Sequence, residues 1–571
     1  MLLILLGAAA CLLWMQVAAL AQGSNGLEQP VELWVADQVG KRKLVNFDER
    51  CGKTLDPIKG DDVHWADPCR TIAATDLRKI ILAEDSHSAG VRLVGIHVTG
   101  TLDLSDAEIK QSLVIRSSRF DGAIDLTQAR LLRALDFQNT RLEEFNAGGL
   151  YAEKRVSMTS SLFRGKTNMH NAKIDSSLSI MNSTFEDSID GTGLEVSRNL
   201  SMLRGTFNGA VRLSDAKIGG NVDMEKAAFE KTINAARLQI IGSLFMNNHA
   251  KFNSRLILNY ATIGGNLEME GQSEFAKIEA ESIQISHHLF MGGNSIFHDL
   301  VYMPFLHVAG YVDLGQGVFT KLDMSGSIIG QELRLSSEGK PPLDAQWRTT
   351  DEISPVLTLS NAQAGTMQDS LTAWPARVDL EGFIYSRPPG PGERTVEQWE
   401  NWLQKSTYGE KHFNPQPYTQ LSKILTEAGY RDQGLALQFA AREGERRQAA
   451  RNGDWAHWFG LSALRWLSGY GIGKYTFIAV PWVLGSVVLG LLALRRSRAA
   501  RANGVLWCIG ASTERLLPII ELNKEFSEFF FDPHRERLHG WQLAFFGLYG
   551  LWGWVLGLLL IAAMSGLTQG S

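Results

Sequence analysis

The feature that most constrains this chain is a fixed spacing of large apolar residues. One series runs Ile109, Leu131, Ala152, Ile174, Val196, Ile218, Ile240, Ile263, Ile285, Val308 and Ile329, in steps of 21 to 23 residues. A second runs Phe120, Leu142, Phe163, Phe185, Phe207, Phe229, Phe252, Phe275, Phe297 and Phe319, midway between members of the first. The unit is therefore about 11 residues, and two units make one coil of about 22.

Within a unit, apolar residues recur four and six positions after the anchor. Examples are Ile109–Leu113–Ile115, Ile218–Val222–Met224 and Phe207–Val211–Leu213. A period of two marks a short strand with one buried face. The residue between the pair, such as Asp223 or Glu268, points outward. Gly219-Gly220-Asn221 and Gly264-Gly265-Asn266, between anchor and strand, suit a tight corner. One such unit cannot bury its apolar side alone, but stacked coils can, with Phe on Phe and Ile on Ile. The expectation is a mainly β fold, a right-handed parallel β-helix solenoid of about eleven to thirteen coils at roughly 4.8 Å per rung. A leucine-rich repeat would need an asparagine ladder and a helical half-unit, and neither is present. A β-sandwich would vary its turn signals more.

The domain reading follows. Residues 1–21 read as a signal peptide: positions 2–20 are almost wholly apolar and Ala19-Leu20-Ala21 is an A-x-A cleavage pattern, although no Lys or Arg precedes the apolar stretch. Cys11 lies inside that stretch, which argues against a lipoprotein. Residues 27–91 form an N-terminal cap with an amphipathic helix at 74–82. Cys51 and Cys69 are expected to pair there, because disulfides persist in exported domains. Such a bridge is worth about 3 kcal/mol in the chain-entropy description. A zinc site is less favoured, since His64 is the only His between them. The β-helix spans 92–386, with a polar insertion at 338–354, and a Pro/Gly linker occupies 387–394.

A helical juxtamembrane region follows at 395–468, with helices at 395–406 and 417–450 and a turn at Gly429. Trp455, Trp458, Leu461, Leu464 and Trp466 make a stripe that suits either an interfacial helix or a packed core helix. Two transmembrane helices are expected, at 475–494 and 541–567, each long enough to cross. Arg495, Arg496, Arg498 and Arg501 on one side, and Arg535 and Arg537 on the other, place the loop 495–540 in the cytoplasm. That loop holds an amphipathic helix at 516–531, and Cys508 there is a reduced bystander. The β-helix then lies outside.

The order of motifs adds a resemblance. After the repeats come Trp374-Pro375, then Asp379-Leu380-Glu381-Gly382-Phe383, then Gln416-Pro417-Tyr418 with Leu421 and Gly429. Gly469-Tyr470-Gly471 precedes the spans, and Leu516-Leu517-Pro518-Ile519-Ile520 follows the first. This resembles bacterial membrane-anchored pentapeptide-repeat-like proteins, over most of residues 70–567. The strict five-residue repeat is replaced by the 11/22 period. Some such proteins bear the name membrane-associated oxidoreductase, but the chain has no Gly-rich dinucleotide loop and no redox Cys pair. The resemblance implies a bacterial inner membrane, with the β-helix on its periplasmic or extracellular side.

No catalytic, cofactor-binding or metal constellation emerges. The net charge of −5 and pI near 6.3 argue against a nucleic-acid partner. Gly469-Tyr470-Gly471 precedes both spans and so cannot line a pore between them. SGYGIGKY at 468–475 lacks the glycine and hydroxyl of a phosphate loop. His287, His288, His298 and His307 fall within one coil's length, and their plainer reading is solvated corner residues. Asp103, Asp125, Asp223, Asp313 and Asp323 point outward but are scattered along the rod. The functional expectation is a membrane-anchored envelope scaffold or binding protein, with membrane lipid and an envelope protein or polysaccharide as partners. The alternative is a β-helix carbohydrate-active enzyme, which needs carboxylates grouped on neighbouring rungs.

Overall fold

The computed structural model describes residues 29–59, 63–83, 90–337, 343–349, 354–388, 393–407, 413–517, 522–531 and 538–564. The expected signal peptide, half of the linker and much of the 338–354 insertion lie outside them. The chain divides into two compact units, Met1–Pro389 and Gly390–Ser571.

The first unit is a parallel β-solenoid of the right-handed type with about 14 turns. Each coil lays strands in two sheets. The Ile series anchors the first sheet, where Ile218 pairs with Val196 and Ile240 in parallel register. The Phe series anchors the second, where Phe207 pairs with Phe185 and Phe229. Burial alternates along each strand, as in Leu135–Gln138, whose Leu135 and Phe137 are inside. The Phe rings stack almost face to face from Phe163 to Phe319, with centroids 4.4 to 5.4 Å apart. Before Phe163 the ladder site is Leu142, and Phe137 and Phe145 fill the core edge-on instead.

The corners explain why 11 residues suffice. Asp106, Ser117, Gln128 and Asn139 all have positive φ, at 11-residue steps, and the pattern continues through Asn248, Tyr260 and Gln316. One left-handed residue per half-coil turns the chain sharply after its strand. Asn and Asp tolerate this region best, yet Arg237, Tyr260 and Phe305 also adopt it here. Stacking of successive coils over-determines the geometry.

The cap belongs to the solenoid more closely than its sequence implies. Helices α1 (Val31–Gly40), α2 (Phe47–Cys51) and α3 (Ala74–Ile81) alternate with two strands. Val45–Asn46 pairs in parallel with Leu93 and Val94, and Thr71–Ala73 with His97–Thr99. The first rung thus forms within the region expected as cap, which is one source of the extra turns. Cys51 and Cys69 are disulfide-bonded, with Cα atoms 5.7 Å apart. At the other end, the insertion supplies Gln346–Trp347, which pairs with Val318 and Phe319. Trp347 continues the aromatic ladder, 5.5 Å from Phe319.

The second unit is helical. Its helices are α4 (Val396–Gln404), α5 (Gln416–Glu427), α6 (Arg431–Asn452), α7 (Trp455–Ser468), α8 (Ala479–Leu494), α9 (Arg498–Leu516), α10 (Lys524–Phe531) and α11 (Gly540–Met564). A Thr395/Gln398 capping box starts α4. Gly429, with φ 93°, makes the expected turn between α5 and α6. On α7, Leu461 and Leu464 pack against Leu435, Phe439, Tyr470 and Ile472. Trp455, Phe459 and Trp466 on the same helix stay exposed, an arrangement closer to an interfacial helix than to a core one.

Two expectations for this unit change. Among the described residues one helical stretch, Gly473–Leu494, is long and apolar enough to cross a membrane, not two. The second expected span is helical as α11 over Gly540–Met564, and residues 565–567 lie outside the described set. The segment 495–540 is also more than a loop with one amphipathic helix. Its residues 498–516 form α9, kinked at Gly504. Cys508, Ala511 and Leu516 on α9 pack with Ala493 and Leu494 of α8 and Phe546, Tyr549 and Leu556 of α11. Ser512 donates to the Val487 carbonyl at 3.1 Å and shares a hydrogen bond of 2.9 Å with the Tyr549 hydroxyl. Gly490 and Gly553 leave room for this approach, where a Cβ would meet Ser512 and the Leu516 carbonyl. Small residues at a close helix interface are what such packing requires. The arginine run and the polar Ser512, Glu514 and Arg515 disguise this helix as loop in the sequence. The expected amphipathic helix at 516–531 shortens to α10, with residues 518–521 outside the described set.

Candidate binding face

The outward aspartates separate by sheet. Asp103, Asp125 and Asp323 stand on the second sheet, Asp223 and Asp313 on the first. Each accepts the backbone N–H two residues ahead: Ser105, Thr127, Ser325, Glu225 and Gly315, at 2.9 to 3.0 Å. These are Asx turns that set up the left-handed corner residue one position later. Structural capping therefore accounts for all five, and they do not converge on one rung.

The histidines also separate. Nδ1 of His287 lies 2.8 Å from the Gly264 carbonyl. Nδ1 of His288 accepts from the Tyr311 N–H at 3.2 Å, and its ring stacks on Tyr311 with centroids 3.9 Å apart. Burial, with His287 and Arg334 adding, lowers the His288 pKa, which keeps the imidazole neutral. His298 faces Glu274 at 3.3 Å on the second sheet, and His307 is an exposed first-sheet residue in register with Gln284. No group of three or more His, Cys, Asp or Glu among the described residues could hold a metal.

In the helical unit, Gly469-Tyr470-Gly471 is a corner. Tyr470 takes φ 61°, is buried, and donates its hydroxyl to Glu443 at 2.6 Å. Arg446 and Arg465 pair with the same carboxylate. The motif is a staple between α6 and α7. Cys508 is a buried free thiol.

What the repeat pattern concealed is a column on the first sheet. Reading the residue between the two inward positions, rung by rung, gives Ser179, Ser201, Asp223, Phe245, Glu268, Phe290, Asp313 and Arg334, each in parallel register with the next. From Asp223 to Asp313 the column alternates carboxylate and aromatic. All of its members are half-buried rather than freely projecting. Glu268 is held on both oxygens by amide donors, Asn247 at 2.9 Å and Asn266 at 3.3 Å. Tyr311 lies beside Phe290, centroids 5.4 Å apart, and carries the Arg334 guanidinium over its ring at 4.0 Å. Arg334 in turn pairs with Glu332.

Glu270 sits next to this column, after Glu268 on the same rung. Burial, then the like charges of Glu268 and Asp313, push its carboxyl above the ordinary range. The next two rungs carry Gly292 and Gly315 beside it, and a Cβ at Gly292 would strike the Gly315 carbonyl. The column was legible in principle. Asp223 and Glu268 stand out as outward residues, but Phe245 and Phe290 at the same register position look like two more core phenylalanines.

No family model, curated protein or solved structure matches the chain. The resemblance to pentapeptide-repeat-like membrane proteins thus stands on its sequence motifs, and the parallel solenoid is the part of it that the structure carries.

Proposed function

We propose that this chain is a membrane-anchored binding scaffold. It presents an exported solenoid to a protein or polymer partner of the cell envelope, on the periplasmic or extracellular side of a bacterial inner membrane. The stretch Gly473–Leu494 is the anchor, and α11 is the return crossing. The single observation that carries the reading is the first-sheet column, where Phe245 and Phe290 are held outward between ordered carboxylates. Aromatic rings kept half-exposed on an otherwise polar face mark a contact surface. The Cys51–Cys69 disulfide supports export, and the assignment of all five outward aspartates to turn capping favours binding over chemistry.

The test is site-specific photo-crosslinking in the cells that make the protein, with the crosslinker at position 245 or at position 302 on the second sheet. Capture of one envelope component from 245 and not from 302 supports the reading. Equal capture from both, or none from 245, counts against it.

Glu270 favours a second reading, a β-helix carbohydrate-active enzyme. A carboxyl pushed up beside one held by two amides is the kind of pair that divides acid and base roles. Glu270→Gln would abolish such an activity, whereas a binding scaffold would retain its partner.

A further inference from the structure

We infer that the groove between α8 and α11 holds one acyl chain of a membrane phospholipid. This rests on the reading of Gly473–Leu494 as the anchor and names a specific lipid contact of that anchor.

The groove has a volume of about 890 Å³, the size of a small-molecule site. Ser486 and Tyr549, both buried, lie at its floor, and Trp482, Leu489 and Leu548 form exposed rims. The polar side-chain atoms of this lining are each engaged. The Tyr549 hydroxyl donates to the Ser486 carbonyl at 2.9 Å and shares a hydrogen bond with Ser512 of α9. Ser486 Oγ accepts from Trp552 Nε1 at 3.1 Å, and Trp482 Nε1 donates to the Trp466 carbonyl at 2.7 Å. What the groove offers an occupant is carbon, and a water there would lack the two to four polar partners it needs.

Depth decides what fills it. Leu489 precedes Arg495 by about 9 Å of helix, and Pro481 at the other end lies about 12 Å further on. With the arginines at the cytoplasmic boundary, the whole groove falls within the hydrocarbon core of roughly 30 Å. At that depth the surrounding medium is acyl chain.

Shape favours a chain over a helix of a second copy. Gly490 and Gly553 serve helix packing, since a Cβ there would meet Ser512 and the Leu516 carbonyl of α9. A Cβ on Gly485 meets nothing, so its missing side chain deepens the groove instead. Close helix docking uses small residues four apart. Four positions either side of Gly485 stand Pro481 and Leu489, which leave a slot rather than a flat seat. The Trp482 and Trp552 rings, edge to face at 6.5 Å, stand together at the Pro481 end of that slot.

The test places the full chain in nanodiscs of phosphatidylethanolamine and phosphatidylglycerol, with a phospholipid that carries a diazirine on one acyl chain. Peptide mapping after irradiation locates the label. It should concentrate on Leu489 and Leu548, well above Leu484 and Leu551, which are exposed to a similar degree but lie off the groove. Gly485→Phe fills the groove and should cut that labelling about tenfold. Gly547→Phe adds the same ring at an α11 glycine that is off the groove and whose Cβ also meets nothing, and should leave the labelling unchanged. Melting curves confirm that both variants fold. Even label over all four leucines, or label indifferent to Gly485→Phe, would overturn the inference. So would stronger competition from a polyprenyl phosphate than from unlabelled phospholipid, or a dimer that Gly485→Phe converts to monomer. If the chain enters nanodiscs and the label is even, the groove assignment falls and the anchor survives. If the chain stays soluble without detergent and does not enter nanodiscs, both fall.

Discussion

The guanidinium of Arg70, 1 % exposed, lies 3.3 Å from the carboxylate of Asp48 and joins the cap to the first rung of the solenoid. The same group donates to the carbonyls of Gly95 at 3.1 Å and Lys53 at 2.6 Å, and lies over the Trp65 ring. Removing one partner of a buried pair leaves the other unsatisfied. Arg70→Ala should therefore cost about 3–5 kcal/mol. Hydrogen exchange should show the loss first at Val45–Asn46 and Val91–Val94, the strands this cap closes. Unchanged protection there would contradict the role assigned to Arg70.

The disulfide acts on the same region. It closes a loop with a sequence separation of 18, and such a constraint is worth about 3 kcal/mol. Cys51→Ser should lower the unfolding midpoint of the cap and leave Phe-ladder protection intact. Reductant should do the same to the unmodified chain and nothing further to the variant.

The aromatic ladder and the exposed corners of the solenoid predict a contrast. Phe229 stacks at 4.6 Å on Phe207 and 5.0 Å on Phe252, so Phe229→Ala should cost about 3–5 kcal/mol. Tyr260 is 55 % exposed and held at φ 59°. Tyr260→Gly relieves that backbone and should be neutral or stabilising in the same denaturation experiment.

Glu270 predicts a pH dependence with a definite sign. Its folded-state pKa is raised from the ordinary 4.5, so the folded protein holds this proton more tightly than the unfolded chain does. Its contribution is complete below the ordinary carboxyl value and is lost as pH rises through the folded value. Glu270→Gln removes the charge that must otherwise form there. The variant should melt higher than the parent at pH 7, and the difference should vanish near pH 4. Equal melting points at both pH values would place Glu270 in a solvated setting.

In the helical unit, Gly490→Val and Gly553→Val each place a side chain where α9 approaches, against Ser512 and the Leu516 carbonyl respectively. Both should loosen the α8–α9–α11 packing and open the unit to limited proteolysis. Gly547→Val, where a Cβ meets nothing, should not.

The solenoid was readable because its period is carried by the largest core residues, and burial enforces that period at every rung. Four features escaped for separate physical reasons. The left-handed corners use Arg, Lys and Tyr as well as Asn, so composition does not flag them. Trp347 joins the aromatic ladder across an insertion that breaks the 22-residue step. Helix α9 pairs polar Ser512 with a tyrosine hydroxyl inside a helical core, which imitates a loop in hydropathy. The binding column depends on reading one outward register position across many coils, where Phe245 and Phe290 differ from core phenylalanines only in the parity of their strand.

The account rests most heavily on an exported solenoid tied to a membrane. The direct measurement is labelling of Tyr302→Cys by a membrane-impermeant thiol reagent in cells whose cytoplasmic membrane is intact. Tyr302 is exposed on the second sheet, and the disulfide at Cys51–Cys69 leaves the engineered thiol as the reactive one on the solenoid. The account predicts full labelling before that membrane is permeabilised, with the protein sedimenting with membranes. Labelling only after permeabilisation would place the solenoid in the cytoplasm and contradict it.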